Sequence, residues 1–336
     1  MHKVLLTGGA GFIGGHVARR LCAEGFAVRA LVRASLRPSS AADSLKGTGA
    51  EIVQGDLRDV ESLRRAVAGC TSVFHVAADY RLWARDPREL YQSNVTGTEN
   101  LLRAAAEASV DRFIYTGTVG VLRFTEDGRP ATERDLASLD SLAGHYKRSK
   151  FLAEQAVLRY AADGLAVVIV SPSAPVGESD SKPTETGKMI LDFMLGRMPA
   201  YVDTGLNLVD VRDVAEGHLL AWRKGRAGER YILGGRNMSL REILEALAPI
   251  AGRPAPKLRL PLAFALAAGY VDTALAGLLG RAPRIPLEGV KMARYKMYVS
   301  IEKARRELGY APAPIEPALQ RAVEWFREQG TAQRRH

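Results

Sequence analysis

The stretch LTGGAGFIGGHVARRL, starting at Leu6, crowds glycines where a short apolar strand ends and a helix begins, and it constrains the fold more than any other feature. Gly8, Gly11 and Gly14 stand three apart, with Phe12 and Ile13 between the last two, while Gly9, Gly11 and Gly14 satisfy G-x-G-x-x-G. Absent Cβ atoms let such a turn tighten, let a pyrophosphate touch the backbone and let helix and strand pack closely. The helix that follows offers N–H groups and the positive end of its dipole to the phosphates. A bound dinucleotide gives each of these glycines a reason.

The pattern around the stretch fits that reading. Apolar runs at 3–8, 26–33, 51–56, 72–78, 112–118 and 166–172 alternate with helical patterns at 14–24, 59–68, 88–108 and 144–163. Short apolar strands separated by helices predict an α/β fold, a Rossmann-type doubly wound parallel sheet. Beyond Pro172 the pattern loosens, and only 206–222 and 229–235 regain strand character. The division expected is a nucleotide-binding domain of 1–173 plus about 201–236, and a smaller, discontinuous C-terminal substrate lobe of 174–200 and 237–330. A chain of 336 residues with 47% hydrophobic and 25% charged side chains is long enough for such a core and too apolar for disorder.

The end of the second strand selects between dinucleotides. NAD sites place an acid there for the ribose 2′-OH, and an arginine suits the 2′-phosphate of NADP. Here Val32 and Arg33 stand at that position, with Ser35 and Arg37 just after. A guanidinium binds phosphate bidentately and stacks on adenine, so NADP(H) is expected, with NAD as the alternative. Asp56 and Leu57, in GDLRD, sit at the mouth of the third strand, where an adenine edge would lie or where Asp56 would cap the next helix.

A second constellation, GHYKRSK, puts Tyr146 and Lys150 one helical turn apart on one face. An ammonium beside a phenol stabilises the phenolate and is expected to lower the tyrosine pKa toward working pH, equipping it to move a proton at a substrate oxygen.

With T-G-x-x-G-x-x-G at Thr7 to Gly14 and Y-x-x-x-K at Tyr146 to Lys150, the chain resembles the extended short-chain dehydrogenase/reductases, the NAD-dependent epimerase/dehydratase family, over essentially its whole length. The resemblance implies a hydroxyl after the fifth strand that bonds the reacting oxygen. In YTGTV that role falls to Thr118, with Thr116 nearby and Gly117 replacing a usual middle hydroxyl. It also implies cofactor contacts at Ala77, Ala78, Asn94, Thr116 and Pro172, in addition to Tyr146 and Lys150, and a homodimer formed through helices 88–108 and 144–163. The stretches HVAADYRLW, GHYKRSKFLAEQ and GRMPAYVDTGLNLVDVRDVAEGH resemble the hopanoid-associated sugar epimerases and dihydroflavonol-4-reductase-like enzymes.

Three reactions are available on such a scaffold. A 4,6-dehydratase would carry an Asp-Glu pair after Thr118, where Val119 and Gly120 stand. A nucleotide-sugar 4-epimerase with tightly bound NAD would usually show the acid that Val32 replaces. Hydride transfer with exchangeable NADP(H), between a carbonyl and an alcohol, needs only Thr118, Tyr146 and Lys150, and it is the expected activity. A non-catalytic NADP-binding sensor or scaffold is the alternative from another class.

Tyr80, Arg81 and Trp83, after the fourth strand, are candidates to line the substrate pocket. The nearly apolar segment 260–280, interrupted by Asp272, reads by default as a core helix, and otherwise as a lid for a lipid-like substrate or a peripheral membrane contact. His75 and His145 read as packed or solvated. The formal charge of +10 comes from scattered arginines, so no nucleic-acid partner is expected. Cys22 and Cys70 form no metal-type spacing, and they read as buried thiols in a reducing, cytoplasmic setting. No metal is expected, and the first residues leave no room for a signal peptide.

Overall fold

The computed structural model describes residues 2–33, 45–81, 84, 86–278 and 287–333. The chain alternates from its start: β1 (Lys3–Thr7), α1 (Phe12–Ala23), β2 (Ala27–Val32), β3 (Glu51–Gln54), α2 (Val60–Val67) and β4 (Ser72–His75). Next, α3 (Arg88–Tyr91) runs through a π-turn, Gln92–Thr96, into α4 (Gly97–Glu107), followed by β5 (Arg112–Thr116), α5 (His145–Ala162) and β6 (Val167–Pro172). Beyond Pro172 come β7 (Ala174–Val176), α6 (Glu185–Met194), β8 (Ala200–Val202), β9 (Gly205–Asp210), α7 (Val211–Lys224), β10 (Arg230–Leu233) and β11 (Arg236–Ser239). The last elements are α8 (Leu240–Ala251), β12 (Leu258–Leu260), α9 (Leu262–Leu278), α10 (Leu287–Met292), β13 (Lys296–Met297), α11 (Glu302–Leu308) and α12 (Glu316–Gln333).

Seven strands form one parallel sheet in the order β10-β6-β5-β4-β1-β2-β3. Successive strand residues face opposite ways, and both faces are covered. Val4, Leu6, Val28 and Ala30 pack with α1 and α7 on one side. Leu5, Leu31, Val73 and Phe113 pack with α2, α4 and α5 on the other. Runs apolar at every position are what two buried faces require.

The segment 201–236 divides between the two parts of the molecule. α7 covers the large sheet and β10 extends it, but β9 pairs with β7, β11 and β13 in a second sheet, and β8 pairs with β12 in a third. Sequence pattern could not separate these, because β9 is a short, mostly buried run with the same look as the strands of the large sheet. The buried Asn207 decides its place: its side chain accepts hydrogen bonds from Ser173 Oγ at 2.8 Å and Gly235 N at 2.7 Å, tying three chain segments together. A separate apolar core, with Val176, Phe193, Leu244 and Leu319, fills this lobe.

Segment 260–280 departs from the core-helix expectation. Phe264, Tyr270, Val271 and Leu275 of α9 are all exposed. Cys22 is half-buried and Cys70 buried, both as free thiols.

Candidate active site

The sheet order reverses at β1, which lies between β2 and β4, and in open parallel sheets such a switch point opens a crevice at the carboxyl ends of the strands. The glycine turn lies there. Gly8 has φ +74°, and a Cβ on it would stand 2.6 Å from the Ala77 backbone nitrogen. At Gly14 a Cβ would stand 2.0 Å from the Gly8 carbonyl oxygen. Those two glycines let chain pack on chain. Gly11, by contrast, is exposed, and a Cβ there would meet only the Gly8 oxygen, at 3.2 Å. It begins α1 with no side-chain cap and no acid in the first turn, where Phe12 and Ile13 follow half-buried. An uncapped helix N-terminus behind a bare backbone fits a pyrophosphate.

The turn is braced from below. Thr7 Oγ1 pairs with His75 Nδ1 at 2.7 Å and accepts from Ala77 N, and His75 Nε2 pairs with Thr98 Oγ1 at 2.9 Å. Burial pulls the His75 pKa down to about 3, so it is a neutral strut.

At the end of β2, Arg33 is exposed where an NAD site would carry its acid. Arg37 lies outside the described residues. Asp56 does not cap α2; Asp59 does, accepting from Glu61 N and Ser62 N. Asp56 instead binds Arg58, at 2.9 and 2.6 Å, and that guanidinium holds its carboxyl below the usual range, with Arg33 adding to the effect. The Leu57 carbonyl accepts from Asn100 at 3.0 Å, which fixes this rim to α4.

Thr118, Tyr146 and Lys150 converge at the end of β5, but not as the lysine–phenol couple expected. Lys150 is buried, donates to the Thr116 carbonyl at 2.8 Å and lies 4.4 Å above the Tyr115 ring. Burial pulls its ammonium down to about 7. The Tyr146 phenol is pushed up to about 12, first by burial, with the Thr118 hydroxyl working against the shift as a hydrogen-bond partner. The expected downward shift is therefore reversed, because desolvation outweighs the stabilisation available to the phenolate. The two threonines separate cleanly: Thr116 Oγ1 turns away to His218 Nε2 at 2.9 Å, and Thr118 faces Tyr146. Gly117 has a steric reason, since its Cβ would stand 3.1 Å from both Glu154 Oε2 and Ser171 Oγ. Glu154 forms a buried ion pair with Arg230 there.

Asn94 sits in the π-turn between α3 and α4, a feature frequent at functional sites. Its side chain accepts from Asp79 N at 2.8 Å and donates to Asp79 O at 2.9 Å and Ser149 Oγ at 3.0 Å. With both amide hydrogens engaged in protein, Asn94 braces the site where a cofactor contact was expected. Ser149, which in turn donates to Tyr146 O at 2.7 Å, completes a bracket from the β4 loop to α5. Ser149 and His218 escaped sequence analysis; the one available signal was a small polar residue between Tyr146 and Lys150.

Ala77 and Ala78 lie half-buried on the same loop, and Pro172 ends β6. Tyr80 is exposed and donates to the Lys182 carbonyl at 3.0 Å, linking this loop to the one before α6. Arg81 is held by Asp79 and Glu89, at 2.6 and 2.9 Å, so two carboxylates already occupy a guanidinium expected to meet substrate. Trp83 lies outside the described residues. His145 is exposed and paired with Tyr91.

A model of the NAD dependent epimerase/dehydratase family matches residues 4–234. The chain is 47% identical to a Synechocystis protein described as a dihydroflavonol 4-reductase, over 97% of this chain and 94% of that one. It is 34% identical to the 4-hydroxy-2-methyl-3-oxo-4-farnesyl-3,4-dihydroquinoline-1-oxide ketoreductase of Stigmatella aurantiaca, over 92% of each. Among solved structures, a nucleoside-diphosphate-sugar epimerase from Pseudomonas aeruginosa superposes with a TM-score of 0.81 at 29% identity, over 98% of both chains.

Proposed function

The chain belongs to the NAD-dependent epimerase/dehydratase family of enzymes, and from that premise we propose that it is an NADP(H)-dependent reductase of a carbonyl on a lipophilic, hopanoid-type skeleton. One observation carries the reading: the Thr118 and Tyr146 hydroxyls stand together at the strand ends, with Lys150 anchored beside them.

When bound, the reduced nicotinamide supplies a hydride. The protein supplies the rest. The Thr118 and Tyr146 hydroxyls polarise the carbonyl oxygen in a partly desolvated site. As the carbonyl carbon gains hydride, the Tyr146 O–H bond breaks and its proton passes to the oxygen, giving the alcohol. A phenol held above its usual pKa keeps that proton at neutral pH, which suits the reductive direction. Solvent then returns a proton to the phenolate. Lys150, positioned by the Thr116 carbonyl, orients the nicotinamide ribose.

Arg33 at the end of β2 supports NADP(H) over NAD, and the farnesyl-bearing ketone in the Stigmatella relative's name supports a lipophilic substrate. The likeness to the Pseudomonas epimerase favours a second reading, a nucleotide-sugar 4-epimerase with tightly held NAD. Fluorescence titration of cofactor-stripped protein with NADPH and NADH separates them. The reductase reading expects NADPH preference, with Arg33→Ala weakening NADPH by about 10–100-fold and NADH, which keeps only the adenine contact, far less. Tighter NADH binding, or NAD that resists stripping, puts the epimerase first. NADPH binding without oxidation across a panel of carbonyl compounds points to a sensor.

A further inference from the structure

We infer that α9 and the adjoining strand β12 form a docking surface for an anionic lipid bilayer. A helix on the surface of a globular protein normally presents charged residues to water. α9 does the opposite. Phe264, Val271 and Leu275, exposed at 68%, 60% and 47%, follow one another at helical spacing along one stripe, with Ala267, Ala268 and Ala274 exposed between them. Leu258 and Leu260 of β12, two residues apart and so on one face of the strand, extend the apolar area. Asp272 is the single charged residue of α9, and it is half-buried.

Charge selects the occupant. Among the described residues from Arg253 to Lys296, which flank the apolar helix in sequence, six lysines and arginines stand against two acids. Even with Asp203 and Glu126 counted, the partners of Arg259 and Arg294, the six cations outnumber four acids. Lys291 lies 5.8 Å from the Tyr270 ring, at the edge of the stripe. A second copy of the chain seated here would set two basic frames against each other. An anionic lipid surface complements both the apolar stripe and the frame. The contact is peripheral, since among the described residues no helix is long and apolar enough to cross a membrane.

The test uses the full chain and reads no turnover, so its result stands apart from the proposed reaction. Vesicles of phosphatidylcholine alone are compared in flotation with vesicles of two parts phosphatidylcholine to one part phosphatidylglycerol. The expected result is at least about tenfold stronger partition onto the anionic vesicles, lost at about 1 M salt, where the Debye length falls to about 3 Å. The double variant Val271→Glu, Leu275→Glu is expected to lose partition without a change in melting temperature. Phe264→Trp is expected to shift its emission to the blue on anionic vesicles only. Absence of partition, or partition unchanged in the double variant, overturns the proposal. So does a native dimer that the double variant converts to monomer, because the face is then a contact between copies.

Discussion

Two stretches of this chain look alike in composition and have opposite fates. The turn from Leu6 to Leu21 and the helix from Leu262 to Leu278 are both made of glycine, alanine and aliphatic residues, each with few charges. In the first, small residues are pressed into backbone: the places for a Cβ on Gly8 and Gly14 are already filled by the chain. In the second, alanines look outward beside Phe264, Val271 and Leu275. Composition does not say which small residue is buried. Spacing does in the first case, where a three-residue interval serves one turn, whereas the helical spacing of the stripe on α9 does not say whether that face is buried or exposed.

Substitutions should therefore separate the regions. The largest effect is expected at the proton donor. Tyr146→Phe removes the O–H that Thr118 orients and should lower NADPH oxidation with a carbonyl substrate by about 10²–10⁴-fold, as loss of a positioned general acid does. Val271→Glu, a harsher chemical change, should leave oxidation of a water-soluble carbonyl unaltered. Equal losses would mean that the α9 face serves the reaction directly.

Next in size is the turn itself. Gly14→Ala must displace the Gly8 carbonyl, since the new Cβ would stand 2.0 Å from that oxygen. The expected cost is about 1–3 kcal/mol of stability, together with weaker nucleotide binding. Ala268→Ser, on the exposed side of α9, should change stability by no more than about 0.5 kcal/mol. Paired thermal melts and NADPH titrations read both.

The same contrast explains what was legible in sequence. The doubly wound sheet could be read because strands buried on both faces are apolar at every position, and the turn because its glycines answer to one geometry. Thr118 follows from the family resemblance, whereas Tyr146 and Lys150 could be paired because helical spacing sets them on one face. The sign of the tyrosine shift could not, because it depends on desolvation, which exists only once β5, α5 and the β4 loop have closed around the phenol. Asn94 and Arg81 were legible as polar residues near the strand ends. The Asn94 partners Asp79 and Ser149 lie 15 and 55 residues away and leave no local trace, whereas Arg81 is held by carboxylates nearby in sequence, Asp79 and Glu89, whose capture of it depends on how the loop folds. The sheet of β9 could not be assigned either, since Asn207 chooses its neighbours through contacts to Ser173 and Gly235.

A smaller effect sharpens the electrostatic side of the comparison. Lys150 is buried with its pKa lowered to about 7, from an ordinary value near 10.4 when unfolded. Between those values the unfolded chain binds the extra proton, so this residue should make stability rise with pH, by at most about 1.4 kcal/mol per pH unit. Below about pH 7 both states carry the proton and the contribution levels off. Lys150→Met should flatten the rise in denaturant melts taken from pH 7 to 9. Lys291→Met, at an exposed site beside α9, should leave the profile unaltered.

The smallest expected effect asks whether the C-terminal lobe stands by itself. Its core is organised by α8, whose Ile243, Leu244 and Leu247 are buried, rather than by the apolar α9. α8 starts from a reciprocal cap: Ser239 Oγ accepts from Glu242 N at 3.2 Å, and the Glu242 carboxylate accepts from Ser239 N at 2.7 Å. Ser239→Ala should cost about 1 kcal/mol, the ordinary value of a lost N-cap. If the lobe melts separately, that loss should lower only its own transition and leave NADPH affinity unaltered. A single transition that moves as a whole would show that β9 and β11, which pair with each other between the lobe and the large sheet's α7 and β10, couple the two regions into one cooperative unit. In that case the exposed face of α9 belongs to the same folding unit as the catalytic end of the sheet, and docking and chemistry share one stability.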